Sequence, residues 1–248
     1  MVSEYKLHIG SYGWQYKKWQ ESFYPEDLPE DWQFSYYANE YSVIMVPWEL
    51  VQNNFELLEQ GIEDSDEKCR VLFELAVQNL NSTSKDTLIN SLDEFLNKIS
   101  FFGERVMGLV LTMQHSELQN LSSEKLDLIK EILRVCQTQL DTCIDIAAYN
   151  SSAPIQDSLQ TEFLELLNST GIDLCRFNDT RVEVLDATTS KLHITFCDSV
   201  KADAKQMRKI VENSLVGECE GSINVLIFRS EIPNHEQMNT AAIISDLL

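Results

Sequence analysis

Short apolar runs rich in β-branched and aromatic residues alternate along this chain with longer stretches whose apolar positions recur every three or four residues. Side chains alternate faces along a strand and return to one face about every 3.6 residues along a helix, so the two patterns predict strands and amphipathic helices in turn. The first predicted strand is Tyr5 to Ile9. A short helix around Asp31 to Glu40 leads to a second strand, Ser42 to Val46, which Pro47 stops. A helix carrying Leu50, Phe55, Leu57 and Leu58 leads to a third, Arg70 to Val77. Ser84 caps a helix with Leu88, Leu92, Phe95, Leu96 and Ile99 on one face, and the fourth strand is Val106 to Met113. Ser122 or Ser123 caps the next helix, whose stripe is Leu126, Ile129, Ile132, Leu133, Cys136 and Leu140. A fifth strand fits Thr142 to Ile146, a helix Ile155 to Leu167, and a sixth strand Ile172 to Phe177, with Gly171 suited to the helix end between them. Val182 to Leu185 reads as an excursion before the seventh strand, Lys191 to Phe196. A helix from about Ala202 to Leu215, the eighth strand Ile223 to Phe228 and a helix from Met238 to Leu248 complete the pattern.

Eight strands with interposed helices favour a closed TIM-type (β/α)8 barrel of the α/β class over an open doubly wound sheet. The latter would carry Gly-x-Gly-x-x-Gly after a strand, and no such turn is present. A chain of 248 residues that is 44% apolar has enough material for one large core, so residues 1–248 are expected to form a single domain. The acidic stretch Glu56 to Glu67 reads as a solvated connection.

Charge narrows the partners. Nineteen Lys and Arg against forty Asp and Glu give a formal charge of −21, which repels phosphate backbones and anionic bilayers, so neither nucleic acid nor membrane is expected as a partner of this acidic protein. The start lacks a basic-then-apolar leader, and no apolar run approaches the roughly 20 residues that cross a bilayer, so a cytoplasmic location is expected. The six cysteines include no Cys-x-x-Cys pair and are expected as free thiols.

There is no phosphate-binding Gly-x-x-x-x-Gly-Lys, no His-Glu-x-x-His and no Gly-x-Ser-x-Gly elbow, so any active site must be assembled from several strand ends. Period-two alternation offers candidates. With Val71, Phe73 and Leu75 turned to the helices, Glu74 and Ala76 face inward; Asp145 shares a face with Cys143 and Ala147, and His193 with Thr195 and Cys197. Glu74, Asp145 and His193 could then meet as a general acid/base cluster, a carboxylate tuning an imidazole toward neutrality, or form a satisfied polar network of the core. Cys143, Cys175 and Cys197 with His193 contain no closely spaced pair of the kind strong zinc sites show, so no metal is expected, and no cofactor.

The segment Gly10-Ser11-Tyr12-Gly13-Trp14-Gln15-Tyr16, then Trp19 and Phe23-Tyr24-Pro25, gathers aromatic residues and scarce glycines just after the first predicted strand, where structured loops carry function. It resembles the opening of the YecE-like family, the domain of unknown function numbered 72, whose members begin with a Gly-Thr-Ser-Gly-Trp-x-Tyr-type motif, a tryptophan and Phe-Tyr-Pro. Gly10, Gly13, Trp14, Tyr16, Trp19, Phe23, Tyr24, Pro25 and Tyr37 all fall on that pattern. The resemblance implies a TIM-type barrel without an established reaction. Departures from the family cluster at the strand ends. Tyr12 replaces a small hydroxyl residue, the Val-Glu-Ile-Asn of the second strand becomes Val43-Ile44-Met45-Val46, and the lysine ending the third falls on Ala76. The Gln and Pro ending the fourth fall near Thr112 and Gln114, and the Glu-Phe-Arg of the fifth becomes Asp145-Ile146-Ala147. The Arg-x-His-Gly of the seventh becomes Thr195-Phe196-Cys197-Asp198, and the paired asparagines after the eighth become Arg229-Ser230.

Two readings follow. The first is a divergent, non-catalytic barrel that binds a small polar ligand or a protein partner, with Ser11, Tyr12, Trp14, Tyr16, Thr195 and Cys197 as ligand-binding candidates and Tyr12, Trp14, Tyr16 and Trp19 as an aromatic contact surface. The second is a hydrolase of a small or carbohydrate-like substrate, in which Asp145 works with Glu74 or His193 as acid and base and rings stack on the substrate.

Overall fold

A computed structural model of the chain describes residues 7–65, 68–76, 85–114, 121–140, 143–149, 161–163, 165–166, 169, 174–178, 181–185, 192–198, 201–215 and 223–248. Among them, strands and helices alternate as the periodicities predict. The elements are β1 (His8–Tyr12), α1 (Gln33–Glu40), β2 (Val43–Pro47), α2 (Trp48–Asn53), α3 (Phe55–Glu63), β3 (Arg70–Ala76), α4 (Lys85–Ser100), β4 (Val106–Gln114) and α5 (Ser123–Gln139). They continue with β5 (Cys143–Tyr149), β6 (Leu174–Asn178), β7 (Arg181–Leu185), β8 (Leu192–Cys197), α6 (Ala204–Ser214), β9 (Ile223–Phe228) and α7 (His235–Leu247). Of the predicted helix Ile155 to Leu167, residues 161–163 and 165–166 are helical and the remainder lies outside the described residues, as do Ser84 and Gly171.

Two compact units divide the chain, residues 1–72 with 191–248, and residues 73–190. In the first, the strand order is β2-β1-β9-β8, every neighbouring pair parallel. In the second it is β3-β4-β5-β6-β7, with β4, β5 and β6 parallel. The excursion at Val182 to Leu185 is β7, which turns back antiparallel on β6. The result is a mixed α/β fold of parallel strands joined by helices.

The first strand lies further along than its apolar run suggested, at His8–Tyr12 rather than Tyr5 to Ile9. Glycine is depleted in strands, so Gly10-Ser11-Tyr12 reads as loop in isolation; in the fold the glycine marks a close approach of β1 to β2. Strand β2 is buried on both faces, with Val43, Ile44, Met45 and Val46 wholly inaccessible, as a parallel strand covered on both sides must be. In the second unit Phe73 meets Phe95 of α4 edge-on at 6.0 Å and lies flat against Phe102 at 6.0 Å, so this residue of β3 packs on α4 and the turn that follows it. Ser122 caps α5 by accepting from the Lys125 backbone N–H at 3.2 Å. Asp203 and Gln206 form a capping box at the start of α6.

Candidate functional site

The opening segment folds into the core. Beyond β1 the chain turns at Gly13, whose φ of 80° suits glycine and whose N–H donates to the Met45 carbonyl at 2.8 Å. Ser11 is wholly buried; its hydroxyl donates to the Gly13 carbonyl at 2.6 Å and lies 3.1 Å from the Tyr37 hydroxyl of α1, which in turn donates to the Val43 carbonyl at 2.9 Å. Burial, above all, holds the Tyr37 phenol well above its ordinary pKa. Trp14 has no accessible surface, meets Phe34 edge-on at 5.0 Å, and its indole N–H has no hydrogen-bond partner among the described residues. Trp19 donates its indole N–H to the Pro233 carbonyl at 2.8 Å and lies parallel to Tyr37 at 6.1 Å. The Tyr24 hydroxyl donates to the Trp14 carbonyl at 2.7 Å, and the Tyr16 hydroxyl donates to the Tyr12 carbonyl. The expected aromatic contact surface is thereby corrected. Trp14 packs on Phe34 and Trp19 on Phe23, Tyr24 and Tyr37, which makes both core residues, and only Tyr12 and Tyr16 of the four keep some exposure.

Register decides which strand residues share a face. Ile9 pairs with Leu226 and Leu226 with Thr195; Ser11 pairs with Phe228 and Phe228 with Cys197. Side chains of paired residues in a sheet project to the same side, and Ser11 points at Tyr37 of α1. His193, Thr195 and Cys197 therefore lie on the helix-facing side of β8, which corrects their expected inward orientation. All three are buried, because that side is as thoroughly covered as the other. His193 pairs with Asn224, its Nδ1 has no partner among the described residues, and burial lowers its pKa.

The opposite side of the same strands carries His8, Gly10 and Tyr12 on β1, Val225 and Ile227 on β9, and Ile194 and Phe196 on β8. At its C-terminal end it gathers a charged cluster that the polar pattern alone did not single out. Arg229, just beyond β9, donates Nε to Asp198 Oδ1 at 3.0 Å and Nη2 to Asp198 Oδ2 at 2.8 Å. Its guanidinium carbon sits 5.4 Å from the centre of the Phe196 ring, and its backbone N–H donates to the Cys197 carbonyl at 3.0 Å, extending the ladder by one step. The alternation Ile194, Phe196, Asp198 was the sequence signal for this cluster.

At the N-terminal end, burial first and the Arg70 charge second depress the pKa of His8 from 6.5 to about 4. The folded protein thus refuses a proton that the unfolded chain accepts between about pH 6.5 and pH 4. Stability is complete above that window and falls as the pH drops through it, with His193 adding in the same direction. Urea unfolding should show a loss of about 2 kcal/mol between pH 7 and pH 5, and His8→Gln should flatten that slope. An unchanged slope in the variant would remove His8 from the explanation.

In the second unit Glu74 is 5% exposed and its Oε1 accepts from the Thr112 hydroxyl at 2.8 Å, a buried carboxylate that has found a buried donor. Asp145 lies on β5 paired with Val110; its side chain is outside the described residues. Glu74 and Asp145 belong to the second unit and His193 to the first. The described residues contain no group of three or more His, Cys, Asp or Glu arranged to hold a metal ion. Cys69, Cys136 and Cys197 are buried thiols outside any disulfide. A groove of about 250 Å³ opens at the start of β1 among Leu7, Ile9, Tyr41, Ser42, Lys68 and Asp246, the end of a parallel sheet associated with stability rather than chemistry. No helix among the described residues is long and apolar enough to cross a membrane.

No model of a known protein family matches the sequence, and no curated protein matches it. Solved structures do resemble the fold. A DUF72 family protein from Enterococcus faecalis V583, in a crystal structure at 3.10 Å resolution, superposes with a TM-score of 0.67 at 11% identity over 98% of this chain and 96% of its own. A second crystal structure of that protein, at 2.52 Å, gives 0.67 at 10% identity over 99% and 100%. Such identities speak to fold and not to reaction. The residues of the opening segment and the architecture they belong to thus lead to one conclusion: this chain has the fold of the DUF72, or YecE-like, proteins.

Proposed function

We propose that the chain is a non-catalytic barrel that binds a small polar ligand or a protein partner instead of transforming a substrate. In this reading residues 1–248 form one domain, the parallel strands close as a (β/α)8 barrel with β7 as a hairpin outside the eight, and the protein works in the cytoplasm without nucleic acid, membrane, metal or cofactor. The observation that carries the proposal is the pairing of Arg229 with Asp198: at the strand ends of β8 and β9 these two charged side chains are committed to each other rather than poised for proton transfer. Glu74 adds support, since a buried carboxylate already accepting from Thr112 has no open path to a substrate proton.

The test is an activity panel of nitrophenyl glycosides, phosphates and esters, run on the wild type and on the Glu74→Gln and Asp145→Asn variants. No turnover that either substitution removes is expected. A rate that falls by about 100-fold in either variant would overturn the proposal in favour of a hydrolase working through Asp145 with Glu74.

A further inference from the structure

We infer that Arg229 and Asp198 form an internally liganded anion site, and that its exchange ligand is a small monocarboxylate which takes the place of Asp198 in the guanidinium fork. The inference rests on the binding reading of the same strand ends.

The geometry of the pair carries the argument first. Nε and Nη2 of Arg229 meet the two oxygens of Asp198 at 3.0 and 2.8 Å, the parallel two-point arrangement by which arginine recognises any planar carboxylate, free or tethered. The fork is also held independently of its present occupant. Its backbone N–H is fixed on the Cys197 carbonyl and its guanidinium lies over Phe196, so the orientation survives when the carboxylate leaves. Asp198, by contrast, sits one residue past the end of β8 with its side chain 36% accessible, against 22% for Arg229. It is the more accessible member of the pair, so a carboxylate from solvent approaches the fork from its side.

The place of the cluster fits a ligand. Parallel α/β sheets take ligands beyond the C-terminal ends of their strands, and Arg229 and Asp198 stand there. Tyr12, one residue past the Ser11–Phe228 pair on β1, comes level with Arg229 on the neighbouring strand and is partly accessible. A guanidinium lying over an aromatic ring at a partly accessible strand end suits a carboxylate attached to a compact body. Phosphate is the poorer match, because a net charge of −21 repels a dianion about twice as strongly as a monoanion.

Calorimetric titration with sodium acetate, at constant ionic strength, is the test, with inorganic phosphate as a second arm. If Asp198 occupies the fork about nine-tenths of the time, Asp198→Ala should bind acetate about tenfold more tightly than the wild type. Adding Arg229→Gln should abolish the gain, and Arg229→Lys, which keeps the charge and loses the fork, should retain only part of it. Circular dichroism of each variant checks that the fold is kept. Acetate binding no tighter in Asp198→Ala than in the wild type, or a gain that survives Arg229→Gln, would sink the site; tighter binding of phosphate than acetate would sink the ligand class. Turnover dependent on Glu74 or Asp145 would overturn the non-catalytic reading while leaving these titrations readable, so the two failures are distinct.

Discussion

Gly10→Ala is expected to leave the chain unable to reach its native fold. A Cβ at residue 10 would stand 1.8 Å from the Val43 carbonyl oxygen and 2.7 Å from its carbon, and both are backbone atoms of β2 that no rotamer change can move. Overpacking that side chains can relieve costs about 1–3 kcal/mol, and this clash has no such relief, so the loss should exceed that range and approach the whole stability of the domain. The variant should be found in the insoluble fraction, or as a soluble species without a cooperative thermal transition. Gly13→Ala, where the difficulty is only a φ of 80°, should be milder, at about 1–2 kcal/mol. A soluble Gly10→Ala protein melting with the wild type would show that β1 and β2 do not approach as closely as described.

Trp19→Ala should be the most damaging of the aromatic truncations. The ring is 1% exposed and touches Tyr16 at 4.8 Å, Phe23 at 5.1 Å, Tyr24 at 5.9 Å and Tyr37 at 6.1 Å, and its N–H holds the Pro233 carbonyl. Removing it opens a cavity among rings too rigid to collapse and strands a buried carbonyl, for a cost of about 3–5 kcal/mol. That corresponds to a melting temperature lower by roughly 10 °C for a chain of this size. Trp19→Phe should recover the packing but not the hydrogen bond and fall between the two. Urea unfolding followed by circular dichroism measures both. A loss below about 1 kcal/mol for the alanine variant would mean that this cluster is not the core of the first unit.

Both predictions concern residues that the opening segment already displayed, yet the segment alone did not fix their work. Tryptophans beside glycines after a strand suit an exposed contact loop and a packed strand end alike. In the fold the same rings close over β1 and α1, and Trp19 bonds to a carbonyl 214 residues away. The candidate acid/base residues divide along similar lines. Glu74 is buried on β3 with Thr112 as its donor, while its neighbour Phe73 packs on Phe95 of α4 within the second unit. His193, Thr195 and Cys197 were assigned the wrong side because nothing local to β8 says which of its two buried faces looks inward.

The amino-acid sequence by itself determined the alternation of strands and helices, the apolar stripes of α4 and α5, the cap at Ser122 and the likeness of the opening segment to the YecE-like family. Each of these depends on residues within a few positions of one another, where period and propensity act directly. Only the tertiary structure decided the start of β1, the burial of Trp14 and Trp19, the faces of β8, and the meeting of Asp198 with Arg229 across 31 residues. The reason is physical. A parallel strand covered on both sides buries polar and apolar residues alike on either face, so hydrophobicity carries no label for inside, and the side is set by the register with strands that are distant in sequence.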